Sequence, residues 1–141
     1  MMRSLDMRLS SDYTFIRVAT SNRIDLGDGF YFQDRTNPKF AADSSEGELR
    51  KEGTDKLIGY LATYVYPGIG HTIAGITVYP EWRGQYLGEK MVKAFIQLHG
   101  SLASDPQGNS SDAASRMWNR LGADKIPTDK NTKGFFYILK K

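Results

Sequence analysis

The sequence has no cysteine among its 141 residues and only two histidines, His71 and His99. The absence of cysteine excludes disulfide bonds, a cysteine nucleophile and thiolate metal ligands. A zinc site would need carboxylates to complete the two histidines, and the chain shows no spacing typical of such ligands. We therefore expect no metal site, and the lack of cysteine fits a reducing compartment such as the cytoplasm.

Long apolar segments and dense runs of positive charge are also missing. No apolar run approaches the ~20 residues of a membrane-spanning helix, and the first residues lack the apolar core of a signal peptide. The 19 Lys and Arg residues against 16 Asp and Glu give a net charge of +3 without a basic tract. Such a balance suits an anionic small molecule better than nucleic acid. We therefore expect a cytoplasmic protein that binds neither membranes nor nucleic acid.

The chain does have the composition of one folded domain. Hydrophobic residues make up 40% of the sequence and charged residues 25%, and both values are typical of globular proteins. The length is sufficient for one hydrophobic core. We treat residues 1–141 as a single domain.

Strand signals dominate the first third of the sequence. Residues from Tyr13 to Ala19 predict one strand, and the Asp28-Gly29 pair between two apolar segments predicts a tight hairpin. Residues 37–55 are polar and charged, so we interpret them as a loop with at most one short strand. No motif in this third indicates a particular chemistry.

Two consecutive strands are predicted in the middle of the chain. Side chains alternate regularly from Leu57 to Tyr66, and a turn rich in glycine and proline at 67–70 leads into a second strand from His71 to Tyr79. The short turn predicts antiparallel pairing. Gly75 interrupts the second strand, which indicates either a β-bulge or a neighbouring ring, and the sequence leaves both possibilities open.

Apolar residues at helical spacing predict two helices in the last third. The first helix runs from about Gln85 to His99 and stops at Gly100. A short strand at 101–104 and a loop separate it from the second helix, which Ser110 or Ser111 begins as N-cap. The apolar residues of the second helix are Ala114, Met117, Trp118 and Leu121. A hairpin whose last strand covers 135–139 completes the chain.

The segment between the second central strand and the first helix carries the clearest functional signal. It reads Val78-Tyr79-Pro80-Glu81-Trp82-Arg83-Gly84-Gln85-Tyr86-Leu87-Gly88. A strand, a glycine-rich turn and a helix in this order leave unpaired backbone N–H groups at the positive end of the helix dipole. These groups form a site for an anion such as a pyrophosphate.

Two motifs give the chain a family resemblance. Arg83-Gly84-Gln85-Tyr86-Leu87-Gly88 resembles the R/Q-x-x-G-x-G/A signature of the GNAT superfamily of acetyl-CoA-dependent N-acetyltransferases, with Tyr86 where the family usually has a glycine. Residues 113–123 are similar to the family's A-x-x-x-Y-x-x-x-G-F segment, with Trp118 in place of the tyrosine. The resemblance covers roughly residues 56–141.

The resemblance implies an α+β fold: a mostly antiparallel twisted sheet with a splayed central parallel pair and two main helices. Residues 56–141 would be the acetyl-CoA-binding core, and residues 1–55 a divergent β-rich part of the same domain. The implied function is direct transfer of an acetyl group from acetyl-CoA to a primary amine in a ternary complex. The alternative is a catalytically silent binding module of this fold that contacts a protein partner, which the substitutions at Tyr86 and Trp118 keep open.

The resemblance also implies how acetyl-CoA would bind. Backbone N–H groups at the start of the first helix would hold the pyrophosphate, an arginine would add positive charge, and the edge of the second central strand would align the pantetheine arm. The residues expected to bind acetyl-CoA are Ile76, Val78, Arg83, Gly84, Gln85, Tyr86, Leu87, Gly88 and Glu89.

Acetyl transfer to an amine needs a base, because an amine with a pKa near ~10 is mostly protonated at neutral pH. Glu81 and Asp105 follow the two splayed strands and are the candidate bases. A chain of water molecules that carries the proton away is the alternative. His71 is a poorer candidate for the base, because it lies at the far end of its strand, roughly 16 Å from Ile76. Tyr79 and Tyr86, the tyrosines nearest in sequence, are the candidate acids for the departing thiolate, which otherwise leaves unaided.

The acceptor is expected to be a small-molecule or peptide amine. An amino acid, a polyamine, an antibiotic and a protein N-terminus all remain open, and we consider a homodimer as the assembly.

Overall fold

The structure, a computed structural model, describes residues 22–54, 56–105, 111–128 and 134–141. The strand expected from Tyr13 to Ala19 and most of the loop before the last strand lie outside the described residues.

The described residues form one eight-stranded sheet with two α-helices. The strands are β1 (Arg23–Gly27), β2 (Phe30–Asp34), β3 (Ser44–Lys51), β4 (Leu57–Tyr66), β5 (Gly70–Val78), β6 (Ser101–Ala103), β7 (Asp124–Pro127) and β8 (Phe135–Lys140). The helices are α1 (Leu87–His99) and α2 (Asp112–Arg120). The strand order is β1-β2-β3-β4-β5-β6-β8-β7, and every pair is antiparallel except β5–β6. The expected α+β fold with one central parallel pair is confirmed.

The hairpin predicted at Asp28-Gly29 joins β1 and β2. Both turn residues have positive φ, 55° at Asp28 and 84° at Gly29. Two consecutive left-handed residues are what a two-residue type I′ turn requires, because its twist matches that of the flanking strands.

The polar segment 37–55 differs from the expectation, because it contains the eight-residue strand β3 between β2 and β4. Its buried residues alternate with more exposed ones, and Gly47 lies directly against the ring of Phe32. Pairing on both sides outweighs the low strand propensity of Ser, Glu and Gly.

Strand β5 carries a bulge. Ala62 of β4 pairs with Gly75 whereas Thr63 pairs with Ile73, so Ala74 is an extra residue on β5. A Cβ atom at Gly75 would lie 3.8 Å from the ring of Tyr60. That distance is an ordinary van der Waals contact, so the ring does not require a glycine here, and the bulge at the neighbouring residue Ala74 is the explanation that the structure supports.

Helix α1 ends as expected but begins two residues later than predicted. Gly84 and Tyr86 have φ values of 89° and 59°, so the chain turns sharply before the helix. Gly100, with φ of 95°, ends α1. The hydroxyl of Ser111 accepts a hydrogen bond from the N–H of Ala114 at 3.1 Å and caps α2.

The two helices share one core on one face of the sheet. Phe95 and Met91 of α1, Trp118 of α2 and Leu102 of β6 belong to the same buried cluster. Neighbouring side chains of the last strands point the other way and form a smaller cluster of Ala103, Phe136 and Ile138. No helix within the described ranges is long and apolar enough to cross a membrane.

Two histidines and an aspartate meet at the end of the sheet where β5 begins and α1 ends. His99 Nε2 lies 3.5 Å from Asp34 Oδ2, and the ring of His99 lies 5.3 Å from that of His71. Burial and the charge of His99 lower the pKa of His71. Burial would raise the pKa of Asp34, but contacts with His99 and Thr36 outweigh it and lower that pKa.

We predict that the protein loses stability as the pH falls below the ordinary histidine pKa of 6.5. The pKa of His71 is lower in the folded than in the unfolded state, so its contribution is complete above 6.5 and is lost as the pH falls through the lowered value. His71→Phe should therefore show a smaller drop in Tm between about pH 7.5 and about pH 5.5 than the wild type. Equal drops in both proteins would contradict the assignment to His71.

Candidate active site

The parallel strands β5 and β6 are joined at one backbone-paired position, Thr72 with Ala103. Beyond it β5 stays paired with β4. The chain after β6 instead follows β8, because the N–H of Ser104 donates to the carbonyl of Tyr137 at 2.8 Å and the N–H of Tyr137 donates to the hydroxyl of Ser104 at 2.9 Å. The two strands therefore separate towards their carboxyl ends.

A cavity of about 350 Å³ occupies the gap between the separated strands. Strand β5, the segment after β6 and helix α2 each contribute to its wall. The lining residues are Ile73, Gly75, Ile76, Ser104, Asp105, Ser111, Ala114, Met117 and Trp118. Of the two strand residues expected to align an acyl donor, Ile76 lines the cavity, whereas Val78 lies further along β5.

Helix α1 begins at the same edge of the sheet, just after β5. Its N-cap residue, Tyr86, makes no side-chain capping hydrogen bond, and the first bond within the helix runs from the N–H of Lys90 to the carbonyl of Tyr86 at 3.1 Å. The N–H groups of Leu87, Gly88 and Glu89 find no acceptor among the described residues. Free N–H groups at a helix start form an anion-binding site.

Gly88 lies in the first turn of α1, and the folded chain alone gives no reason for a glycine there. Its φ is not positive, and a Cβ atom added to it would meet nothing within 4 Å. Alanine would favour the helix by about 1 kcal/mol. The missing side chain is explained if a ligand approaches the backbone at this position.

The turn before α1 fixes two of the predicted side chains. Arg83 Nε donates to the carbonyl of Val78 at 2.8 Å, and Gln85 Nε2 donates to the carbonyl of Trp82 at 3.4 Å. Arg83 is exposed, and its bond to Val78 holds its guanidinium at the end of β5. Gly84 allows the turn through its positive φ of 89°.

Glu89 offers its backbone N–H at the helix start while its carboxylate binds an arginine of α2. Arg120 Nη2 and Nε lie 2.6 and 3.0 Å from Glu89 Oε1, and Lys93 Nζ lies 3.9 Å from Oε2. Sequence reasoning missed Arg120. Its position in the second helix was predictable, but its partner depends on how the two helices pack.

Asp105 is the titratable residue of the cavity. It is half-buried, and burial raises the pKa of its carboxyl group. Burial also raises the pKa of Tyr64, and the negative charge of Asp105 raises it further. A desolvated carboxylate in a cleft is a common feature of catalytic sites.

The other predicted catalytic residues lie outside the cavity lining. Glu81 is exposed in a short 3-10 turn, Pro80–Trp82, and Tyr79 is half-buried at the start of that turn. Trp118 lines the cavity but is a core residue, since it is 2% exposed and its ring is stacked 6.2 Å from that of Tyr137. In the ranges that the structure describes, no group of three or more His, Asp and Glu side chains is placed to hold a metal ion.

Comparison with known proteins shows the family of this chain and agrees with its fold. The sequence matches the acetyltransferase (GNAT) family over residues 11–122. Comparison with curated proteins finds no match.

Several solved structures share the fold. A GNAT family acetyltransferase from Elizabethkingia anophelis with acetyl-CoA bound has 14% identity and a TM-score of 0.58, over 81% of this chain and 99% of that one. An acetyltransferase from Thermus thermophilus has 15% identity and a TM-score of 0.55, over 73% and 68%. A ribosomal-protein alanine N-acetyltransferase from Escherichia coli has 19% identity and a TM-score of 0.51, over 76% and 80%. Identities this low show a shared fold only.

We predict that Asp105→Asn raises the Tm near neutral pH. The pKa of Asp105 is higher in the folded state, so the wild type loses stability as the pH rises from the ordinary value of 3.8 through the raised pKa. The substitution removes the charge that burial disfavours, and its benefit should shrink as the pH approaches 3.8. Asp124→Asn, at an exposed position on β7, is the matched control. A Tm of Asp105→Asn at or below that of the wild type near neutral pH would contradict the prediction.

Proposed function

This chain belongs to the acetyltransferase (GNAT) family, and we propose that it transfers the acetyl group of acetyl-CoA directly to a primary amine in a ternary complex. The observation that carries the proposal is the arrangement at the carboxyl edge of β5. Free N–H groups begin α1, the parallel strands separate beside them, and a half-buried carboxylate lines the gap. These features fit the diphosphate, the pantetheine arm and the reacting thioester in that order.

The start of α1 would hold the diphosphate. The N–H groups of Leu87, Gly88 and Glu89 would donate to its oxygens, and Arg83 would add positive charge. Leu87 contributes its backbone alone, because its side chain is only 2% exposed. The lack of a Cβ at Gly88 lets the phosphates approach closely.

The free edge of β5 would align the pantetheine arm. Beyond Thr72 the backbone groups on this edge have no partner in β6. The two amides of pantetheine carry the donors and acceptors that a neighbouring strand would offer. Pairing around Ile76 would place the thioester in the cavity and hold it for attack.

Asp105 is the base that the geometry favours over Glu81, because it alone of the two lines the cavity. The acceptor enters as an ammonium group and gives a proton to Asp105, directly or through water. The neutral amine then attacks the thioester carbonyl, so that a C–N bond forms and the C–S bond breaks, and the second proton that the nitrogen loses passes through water to the departing thiolate. A raised pKa makes the carboxylate a better proton acceptor than an exposed aspartate.

The thiolate of CoA leaves without a strong acid in this scheme. Trp118 stands where the family resemblance implies a tyrosine, and an indole N–H cannot give up a proton. A thiol has a pKa near ~8.5, so its anion is a tolerable leaving group that water can protonate. Tyr79 remains the alternative acid on sequence grounds.

The acceptor class proposed is a small-molecule or peptide amine. The Escherichia coli protein of the same fold is named for N-acetylation of an alanine of a ribosomal protein, which supports an amine acceptor on this fold. We also propose that residues 1–141 act as one domain in the cytoplasm, and that the assembly to test is a homodimer.

The first test is stabilisation by acetyl-CoA. At a concentration of about 100 Kd, acetyl-CoA should add about 2.7 kcal/mol to the free energy of unfolding, which a thermal-shift assay detects as a rise of several degrees. Gly88→Ala should keep or raise the Tm of the free protein and weaken acetyl-CoA binding about tenfold or more. Gln97→Ala, exposed near the other end of α1, should leave binding unchanged. No stabilisation of the wild type would overturn the proposal.

The second test compares the two candidate bases. Asp105→Asn should lower kcat/KM for acetyl transfer about 10²- to 10⁴-fold, as expected for loss of a general base, whereas Glu81→Gln should stay close to the wild type. Wild-type kcat/KM should fall as the pH drops through the raised pKa of Asp105. Release of CoA is measured over a panel of amines and peptides. Loss of activity in Glu81→Gln alone would reassign the base, and binding of acetyl-CoA without any CoA release would favour a silent binding module.

A further inference from the structure

Tyr86 is the most exposed large apolar side chain in the described part of the chain. It is 68% exposed, against 50% for Phe40 and 38% for Tyr60. It also has φ of 59° and ψ of 26°, a left-handed conformation that glycine adopts without cost and a bulky residue does not. Its side chain makes no capping hydrogen bond to α1. Neither its backbone conformation nor the helix cap explains the ring.

A cation lies over this ring. The guanidinium carbon of Arg120 is 5.7 Å from the ring centroid of Tyr86. Two nitrogens of the same guanidinium bind Glu89 Oε1 at 2.6 and 3.0 Å, which anchors Arg120 beside the first turn of α1. The exposed ring and the anchored guanidinium together form what we call the Tyr86–Arg120 platform.

The chemistry of acetyl-CoA gives this platform a ligand. In acetyl-CoA the diphosphate lies between the pantetheine arm and a phosphorylated adenosine. If the diphosphate binds the first turn of α1 and the thioester lies in the cavity, the adenosine lies on the outer side of that turn. An exposed aromatic ring and a positive charge at the helix start suit a flat base and its phosphate.

We propose that the adenine of acetyl-CoA stacks on Tyr86 and that Arg120 provides the adjacent positive charge; the inference rests on the proposed function. Tyr86 then acts as a residue that selects the donor, favouring CoA thioesters over donors that end at the phosphopantetheine. Stacking of a base on an aromatic side chain should strengthen binding about tenfold or more. A glycine would fit the backbone better at this position. The proposal explains why a tyrosine stands there instead, because its ring binds the adenine.

The experiment measures affinity for two donors, acetyl-CoA and S-acetyl-phosphopantetheine, by calorimetry and by KM. Tyr86→Gly removes the ring and suits the left-handed backbone, and Tyr86→Phe keeps the ring. The Tm of each unliganded variant, measured in parallel, establishes that it is folded. We expect Tyr86→Gly to weaken acetyl-CoA binding about tenfold and S-acetyl-phosphopantetheine binding less than about twofold, while Tyr86→Phe matches the wild type for both.

Two results would overturn the inference. Equal weakening for both donors in Tyr86→Gly would mean that the ring supports the helix start rather than the adenine. Unchanged or tighter acetyl-CoA binding would mean that the ring is idle or obstructs the site. A wild type that fails to bind acetyl-CoA would instead refute the proposed function itself, so the two failures are distinguishable.

Discussion

One backbone-paired position joins the two halves of the sheet, and the candidate site depends on it. Thr72 pairs with Ala103, after which the bulge at Ala74 shifts the register of β5 against β4 and the hydrogen bonds of Ser104 hold the following chain to β8. Backbone groups in the middle of a sheet are costly to leave unpaired. The separated strand edges are therefore stable only where water, or a ligand with amide groups of its own, forms hydrogen bonds with their backbone groups. Side-chain packing beneath α1 and α2 holds the halves together across the gap.

The two helices also fix the binding groups relative to each other. The pair between Glu89 and Arg120 joins the first turn of α1 to the last turn of α2, and Trp118 of α2 lines the cavity. An exposed ion pair contributes little to stability, typically less than about 1 kcal/mol. This ion pair matters for position rather than for stability, because it holds the first turn of α1 at a fixed place relative to α2, which forms part of the cavity wall.

Features set by neighbouring residues could be predicted from the sequence. The hairpin at Asp28-Gly29, the Ser111 cap and the glycine stop of α1 all follow from local backbone preferences. The strand β3 could not, because its polar residues become a strand only when neighbours pair on both sides. The contact between Arg120 and Glu89 joins residues 31 positions apart in the sequence, so only the folded structure reveals it. The preference for Asp105 over Glu81 as the proposed base likewise depends on the structure, which places Asp105 and not Glu81 in the cavity lining.

The two departures from the family pattern, Tyr86 and Trp118, have different physical consequences. Trp118 is packed against Tyr137 in the core, so the site loses a proton donor there without losing its wall. In the proposed reaction the thiolate, with a conjugate pKa near ~8.5, leaves as an anion that water can protonate, whereas the amine, with a pKa near ~10, must first lose a proton. The proton transfer that needs a protein group is therefore the one from the acceptor, and in our proposal it goes to Asp105, whose pKa burial raises. The proposed site, with Asp105 as base and no protein acid, is therefore chemically consistent with the proposed transfer from a thioester to an amine.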